Sequence, residues 1–186
     1  MKISGKKVAI LATHGFEQSE LEVPLKKLKE AGATVEVVSP EKGEIKGWDK
    51  KDWGRPVKVD RQLADANVND YDAIVMPGGQ INPDLLRINA DALEFIRAFY
   101  DQKKVVAAVC HAPWLLIETG LAKGKRMTSY HSIKTDVINA GAKWEDSPVV
   151  TDQGLITSRN PGDLDAFSAK IIEEIAEGKH ARRSAA

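Results

Sequence analysis

Val8-Ala9-Ile10-Leu11-Ala12, running into His14-Gly15-Phe16-Glu17, decides the fold when read with Thr34-Val35-Glu36-Val37-Val38 and its stop at Ser39-Pro40. An apolar run without alternation is a strand buried on both faces, as in a parallel sheet. Between the two runs, Leu21, Val23, Leu25, Leu28 and Ala31 mark a helix over 20–31, and Gly32 stops it. Strand, helix and strand within about 30 residues form a βαβ unit with a right-handed connection.

Working outward, the alternation is interrupted once. Residues 41–60 are charged and Gly-rich around Trp48 and Trp53, which predicts a small antiparallel excursion near the sheet edge. Strand 72–76 then ends in Pro77-Gly78-Gly79, a helix spans 91–102, and strand 105–109 leads directly into Cys110. Next come a helix over 114–119, a short strand at 128–130 and a helix over 133–139. A hairpin around Asp152-Gln153-Gly154 and a last helix over 164–177 complete the pattern. The expectation is a single α/β domain over 1–186: a three-layer sandwich on a mainly parallel sheet, with its core over 7–177 and a small, basic, frayed tail over 179–186.

Composition narrows the function. The chain has 186 residues, 27 Lys+Arg against 27 Asp+Glu, and one cysteine. The balanced charge gives no bulk attraction to nucleic acid or to an anionic membrane. No apolar run reaches the roughly 20 residues that span a bilayer, and no secretory signal core is present. A cytoplasmic protein with neither nucleic acid nor membrane as partner is expected. One cysteine excludes an intrachain disulfide, and the histidines at 14, 111, 131 and 180 lack ligand spacing, so no metal site is expected. Without a GxGxxG run or Walker motif, no nucleotide cofactor is expected either.

Ligands of open parallel sheets bind beyond the carboxyl ends of the strands. Here that rule selects His14-Gly15-Phe16-Glu17, Pro77-Gly78-Gly79 and Cys110-His111. Cys110 stands at a strand-to-helix turn with small Ala108 and Ala112 on either side, the steric requirement of an exposed nucleophile. The helix after it favours thiolate over thiol, and His111 is placed to act as acid, base or cationic neighbour. The backbone at Gly78, Gly79 and His111 offers N–H groups for an oxyanion. Glu17 is expected to meet the sulfur and share a proton with it; its alternative is first-turn charge on the helix dipole. A lone buried cysteine is otherwise a small hydrophobe, but the elbow context favours a nucleophile. His14 and Trp114 are candidate pocket residues. Trp48 and Trp53 belong at the pocket mouth, in a subunit contact or in buried packing, with buried packing preferred.

Together, Gly15-Phe16-Glu17, Pro77-Gly78-Gly79 and Val109-Cys110-His111-Ala112-Pro113-Trp114 resemble the PfpI family, in the superfamily of the Parkinson's-associated protein deglycase. Thr128-Ser129-Tyr130, Asp136-Val137-Ile138-Asn139-Ala140-Gly141 and Thr157-Ser158-Arg159-Asn160-Pro161 extend the match over nearly the whole chain. The resemblance implies a flavodoxin-like, class I glutamine amidotransferase-like fold and a homo-oligomer, a dimer or hexamer. It maps nucleophile, histidine and carboxyl onto Cys110, His111 and Glu17. In the protease branch an acidic residue reaches the histidine of a neighbouring subunit, and Asp84 matches it, one methylene shorter than the usual glutamate. Ala112 stands where the family usually has Gly, and His14 where an acidic or polar residue is commoner. The implied activities are a deglycase or glyoxalase III-type reaction on small carbonyls or glycated proteins, which a small pocket favours, or peptide hydrolysis by Cys110, His111 and Asp84 across an interface. A redox sensor or chaperone without turnover is the third reading.

Overall fold

The structure, a computed structural model, describes residues 1–178; the expectation for the tail at 179–186 lies outside the described residues. Chain order is β1 (Lys7–Leu11), α1 (Gln18–Glu30), β2 (Thr34–Ser39), the hairpin β3 (Glu44–Asp49) and β4 (Asp52–Lys58), β5 (Arg61–Gln62) and β6 (Ala73–Met76). Then follow α2 (Ile81–Leu86), α3 (Ala90–Asp101), β7 (Val105–Val109), α4 (Pro113–Glu118), β8 (Arg126–Met127), α5 (Lys134–Asn139), β9 (Lys143–Trp144), β10 (Val149–Asp152), β11 (Leu155–Ser158) and α6 (Leu164–Glu177).

Seven strands form the central sheet in the order β10-β11-β7-β6-β1-β2-β5. Every pairing in it is parallel except β10 with β11. This is the α/β sandwich expected from the apolar runs, in the flavodoxin-like form that the family resemblance implies. Alternate side chains along each buried strand feed two cores. Val8 and Ile10 of β1 face Leu21, Leu28, Phe167 and Ile171 from α1 and α6. Ala9 and Leu11 face the opposite layer, where Phe95, Phe99, Leu115 and Val137 come from α3, α4 and α5. Each large side chain fully removed from water contributes about 1.5–3 kcal/mol, so a residue slip in β1 would reverse both layers at once.

Three local expectations change. The strand near 128–130 forms two residues earlier, as β8 paired with β9, because Tyr130 is occupied instead by a backbone bond to the Cys110 carbonyl. The six-residue α2, with Pro83 inside it, gives no periodicity long enough to read and was not expected. The β3–β4 excursion forms as a separate two-stranded sheet, but it folds back toward the strand ends instead of staying at the edge. Gly15 N–H donates to Lys46 O at 2.8 Å and Trp48 N–H to Phe16 O at 2.7 Å, which tie it to the loop after β1. Among the described residues, no helix is long and apolar enough to cross a membrane.

Candidate active site

Three loops converge at the carboxyl ends of β1, β6 and β7. Cys110 closes β7 in left-handed backbone, with φ of 64°, a conformation that costs a residue with a side chain about 1–2 kcal/mol. Two backbone bonds hold it there: Cys110 N–H donates to Ser158 O at 3.0 Å, and Tyr130 N–H donates to Cys110 O at 2.8 Å. Fully buried Ala108 and Ala112 leave room for the turn, as a strand-to-helix nucleophile requires.

The carboxyl at the sulfur belongs to Glu20, where Glu17 was expected. Helix α1 starts at Gln18, so Glu17 is its cap residue, in extended backbone, with its side chain at the cavity wall. Glu20 lies in the first turn on the inward stripe with Pro24 and Leu28, and is wholly buried. Its Oε2 accepts the Gly78 N–H at 2.8 Å, and a Cβ built on Gly78 would lie 2.8 Å from both that oxygen and Cys110 Cβ, which places the carboxyl beside the Cys110 side chain. Burial pushes Glu20 up to about 8, against the Gly78 N–H, which favours the charged form. Burial first, and the Asp49 charge second, also raise Glu17.

The thiol itself is held above its ordinary value, first by burial and then by the negative charge of Glu20. That is opposite to the thiolate expected from the helix terminus alone, since α4 has only six residues and Cys110 is 6 % exposed. The N–H groups of Gly79 and His111 pull the other way by pointing at the sulfur. Cys110 and Glu20 are therefore two acids in one dry site, where a single negative charge is far cheaper than two. Of the three expected oxyanion donors, Gly79 and His111 face the sulfur, while the Gly78 N–H is committed to Glu20.

His111 reaches the sulfur through Nδ1, 3.1 Å from Sγ, and its Nε2 lies 3.1 Å from Ser132 Oγ. Its ring stacks on Tyr130 with centroids 4.8 Å apart, and Trp114 meets it edge-on at 5.3 Å. Burial, then the neighbouring His131, lower its pKa, so the ring is neutral near pH 7. A neutral imidazole takes the thiol proton at Nδ1 or donates to a thiolate from it, and the Ser132 hydroxyl can serve either arrangement at Nε2.

The remaining candidates separate. Trp114 stands behind His111, its Nε1 donating to Asp136 Oδ2 at 2.9 Å and its ring beneath the Arg87 guanidinium. His14 turns to the hairpin, where its Nδ1 accepts the Lys46 N–H at 3.1 Å. Asp84 is exposed on α2, and among the described residues no hydrogen bond or ion pair joins it to His111. Trp48 lines the cavity, and Trp53 packs edge-on against it while 44 % exposed, so the pair is not buried packing. The cavity holds about 450 Å³, walled by Glu17, Trp48, Lys50, Gln80, Ile81 and Tyr130, with Cys110, His111 and Glu20 at its base.

Sequence reading passed over Asn82, which clips two loops together. It is fully buried; Oδ1 accepts the Thr13 N–H at 2.7 Å, and Nδ2 donates to Pro77 O at 2.8 Å. Only tertiary structure brings those loops to one side chain. Ser132 was also missed, although it follows Tyr130 closely. Glu20 had a readable signal in its four-residue spacing from Pro24 and Leu28.

Comparison with known proteins agrees with this geometry. Residues 6–174 match the model of the DJ-1/PfpI family. Over 168 residues, 90 % of this chain and 96 % of the other, it is 44 % identical to a Bacillus subtilis protein named "Putative cysteine protease YraA". It is 41 % identical to "Deglycase PfpI" of Pyrococcus furiosus, over 90 % of this chain and 98 % of that one. Drosophila melanogaster DJ-1beta superposes with a TM-score of 0.84 at 31 % identity, covering 94 % of this chain and 91 % of that one. With the elbow cysteine, the neighbouring histidine and the buried carboxyl all held within the matched span, the chain belongs to the DJ-1/PfpI family.

Proposed function

We propose that the protein is a cysteine-dependent enzyme of small reactive carbonyls or glycated side chains, of deglycase or glyoxalase III type. The observation that carries this reading is the wholly buried Glu20 carboxyl beside the Cys110 side chain in the lining of one cavity of about 450 Å³. In the reactive form the single negative charge sits on sulfur and the proton on Glu20. The thiolate adds to an aldehyde carbon, forming a C–S bond as the carbonyl pair moves to oxygen. The N–H groups of Gly79 and His111 receive that oxyanion, and Glu20 supplies its proton. Glu20, now ionised, is a base in contact range of the adduct; it moves a proton from the hemithioacetal carbon to the neighbouring one, giving a thioester. Water then releases a hydroxy acid and restores the thiol. No external oxidant or reductant is needed.

A second reading has its own observation. Asp84 is exposed beside Ile81, Leu85 and Ile88, which are 40 %, 46 % and 83 % exposed on and after α2. An apolar ridge of this kind supports a second copy docking there and bringing Asp84 toward a neighbouring His111, as peptide hydrolysis by Cys110, His111 and Asp84 requires. The balanced charge fits a cytoplasmic setting for either chemistry.

Purified wild type and Cys110→Ser are to be compared on methylglyoxal, a glycated peptide and an unfolded protein. We expect lactate formation from methylglyoxal that Cys110→Ser abolishes while its circular dichroism is unchanged. Turnover retained by that variant overturns the enzyme reading. Proteolysis lost in Asp84→Ala with carbonyl turnover intact moves the assignment to the second reading.

A further inference from the structure

Beyond the sulfur and its partners, the cavity carries a cation that the chemistry above does not use. Lys50 lines the cavity from the two-residue turn of the β3–β4 hairpin. The turn is held in place over the site. Trp48 Nε1–H donates to Lys50 O at 3.2 Å, and the Trp48 ring itself forms cavity wall. The same strand is fastened to the β1 loop through the Gly15–Lys46 and Trp48–Phe16 backbone bonds. Among the described residues, Lys50 forms no ion pair.

The other ionisable groups on the wall are acids from α1 and its cap. Glu20 is neutral below about pH 8, and burial raises Glu17 as well. Asp49 precedes Lys50 but does not line the cavity. Lys50 thus offers a ligand an ammonium within the cavity, with the Gln80 side chain as a further polar group on the wall. A long flexible stem lets that ammonium follow a ligand anion without any change in backbone.

We infer that Lys50 is a specificity residue that recognises a carboxylate on the reactant, so that the site favours 2-oxoaldehydes that also carry a carboxylate over neutral 2-oxoaldehydes of similar size. The carbonyl carbon lies at Cys110 and the carboxylate under the hairpin turn. The substrate half of this inference rests on the carbonyl reading; recognition of an anion at the sulfur does not.

The test uses both halves. Cys110 is the chain's one cysteine, so alkylation reports on this sulfur without ambiguity. Rates with iodoacetate, an anion, and iodoacetamide, its neutral counterpart, are measured for wild type, Lys50→Gln and Lys51→Gln. Lys51 is the neighbouring turn residue outside the cavity and controls for charge alone. The iodoacetate-to-iodoacetamide ratio should fall about fivefold in Lys50→Gln, as expected for one charge pair near 4 Å in a solvated site, and hold in Lys51→Gln. Raising ionic strength should shrink the wild-type preference. In parallel, kcat/KM for 4,5-dioxopentanoate, a 2-oxoaldehyde that carries a carboxylate, should fall by a similar factor in Lys50→Gln while that for methylglyoxal stays unchanged. An alkylation ratio equal in wild type and Lys50→Gln, or an equal fall in both variants, overturns the inference. A ratio that responds to Lys50 alone, with neither carbonyl turned over, upholds anion recognition and removes the carbonyl reading.

Discussion

Replacing Glu20 by Gln offers the sharpest physical test of the site. Gln keeps an oxygen to accept the Gly78 N–H but cannot ionise. In the folded wild type the carboxyl is raised from 4.5 to about 8. A group raised on folding contributes its full stability below its unfolded value and loses it as pH climbs through its folded value. Wild type should therefore weaken between pH 4.5 and about 8, and the raised thiol of Cys110 continues that loss at higher pH. At about 1.4 kcal/mol per pH unit, the interval corresponds to an upper bound of about 5 kcal/mol. Relaxation and water entry reduce such penalties, so a difference of about 2–3 kcal/mol is the working expectation. Urea unfolding of both proteins at pH 5, 7 and 9, at one protein concentration, reads it directly. Glu20→Gln should match wild type near pH 5 and exceed it by that margin at pH 9. Iodoacetamide alkylation should change from two proton-loss steps in wild type to one in the variant. Parallel stability profiles with equal separation at every pH would refute a buried, proton-holding Glu20.

Two further perturbations follow from the same geometry. Gly78→Ala places a Cβ 2.7 Å from Val109 O and 2.8 Å from both Cys110 Cβ and Glu20 Oε2, so it should cost about 2–4 kcal/mol in urea unfolding and slow Cys110 alkylation at least tenfold. Within β2, burial would raise Glu36, but hydrogen bonds from Lys7, Tyr71 and Arg61 hold it at about 2. Its contribution is present above pH 4.5 and lost as pH falls through about 2; Glu36→Gln should flatten the acid limb of the stability profile, and an unchanged limb counts against that network.

The fold was legible because its strands are buried on both faces: Val8–Ala12 and Val105–Val109 carry no polar residue, as strands covered by helices on either side require. The turn that presents Cys110 was legible for a local reason, since an elbow is made by neighbours in sequence. What failed was phase. Glu17 and Glu20 are both acidic and both near the strand end, and choosing between them required knowing that α1 begins at Gln18. Asn82 and Ser132 were out of reach because each acts on groups more than twenty positions distant or in another loop. Lys50 sat within a charged segment where any lysine reads as solvated surface. Its place in the cavity depends on the hairpin folding back, which Gly15 and Phe16 arrange through backbone atoms that carry no side-chain signature.

That last attachment has an engineering consequence. The β3–β4 hairpin shares no strand pairing with the central sheet, but Ile45 is fully buried in the core with Phe16 and Val57 packs against it, so the exchangeable part is its turn at Lys50 and Lys51. The turn can be rewritten while the sulfur, its carboxyl and its histidine keep their supports in β7, α1 and the 130–132 loop. The selectivity proposed for Lys50 is thus housed apart from the sulfur, and a library confined to residues 50 and 51 can explore it without changing Ile45 or Trp48.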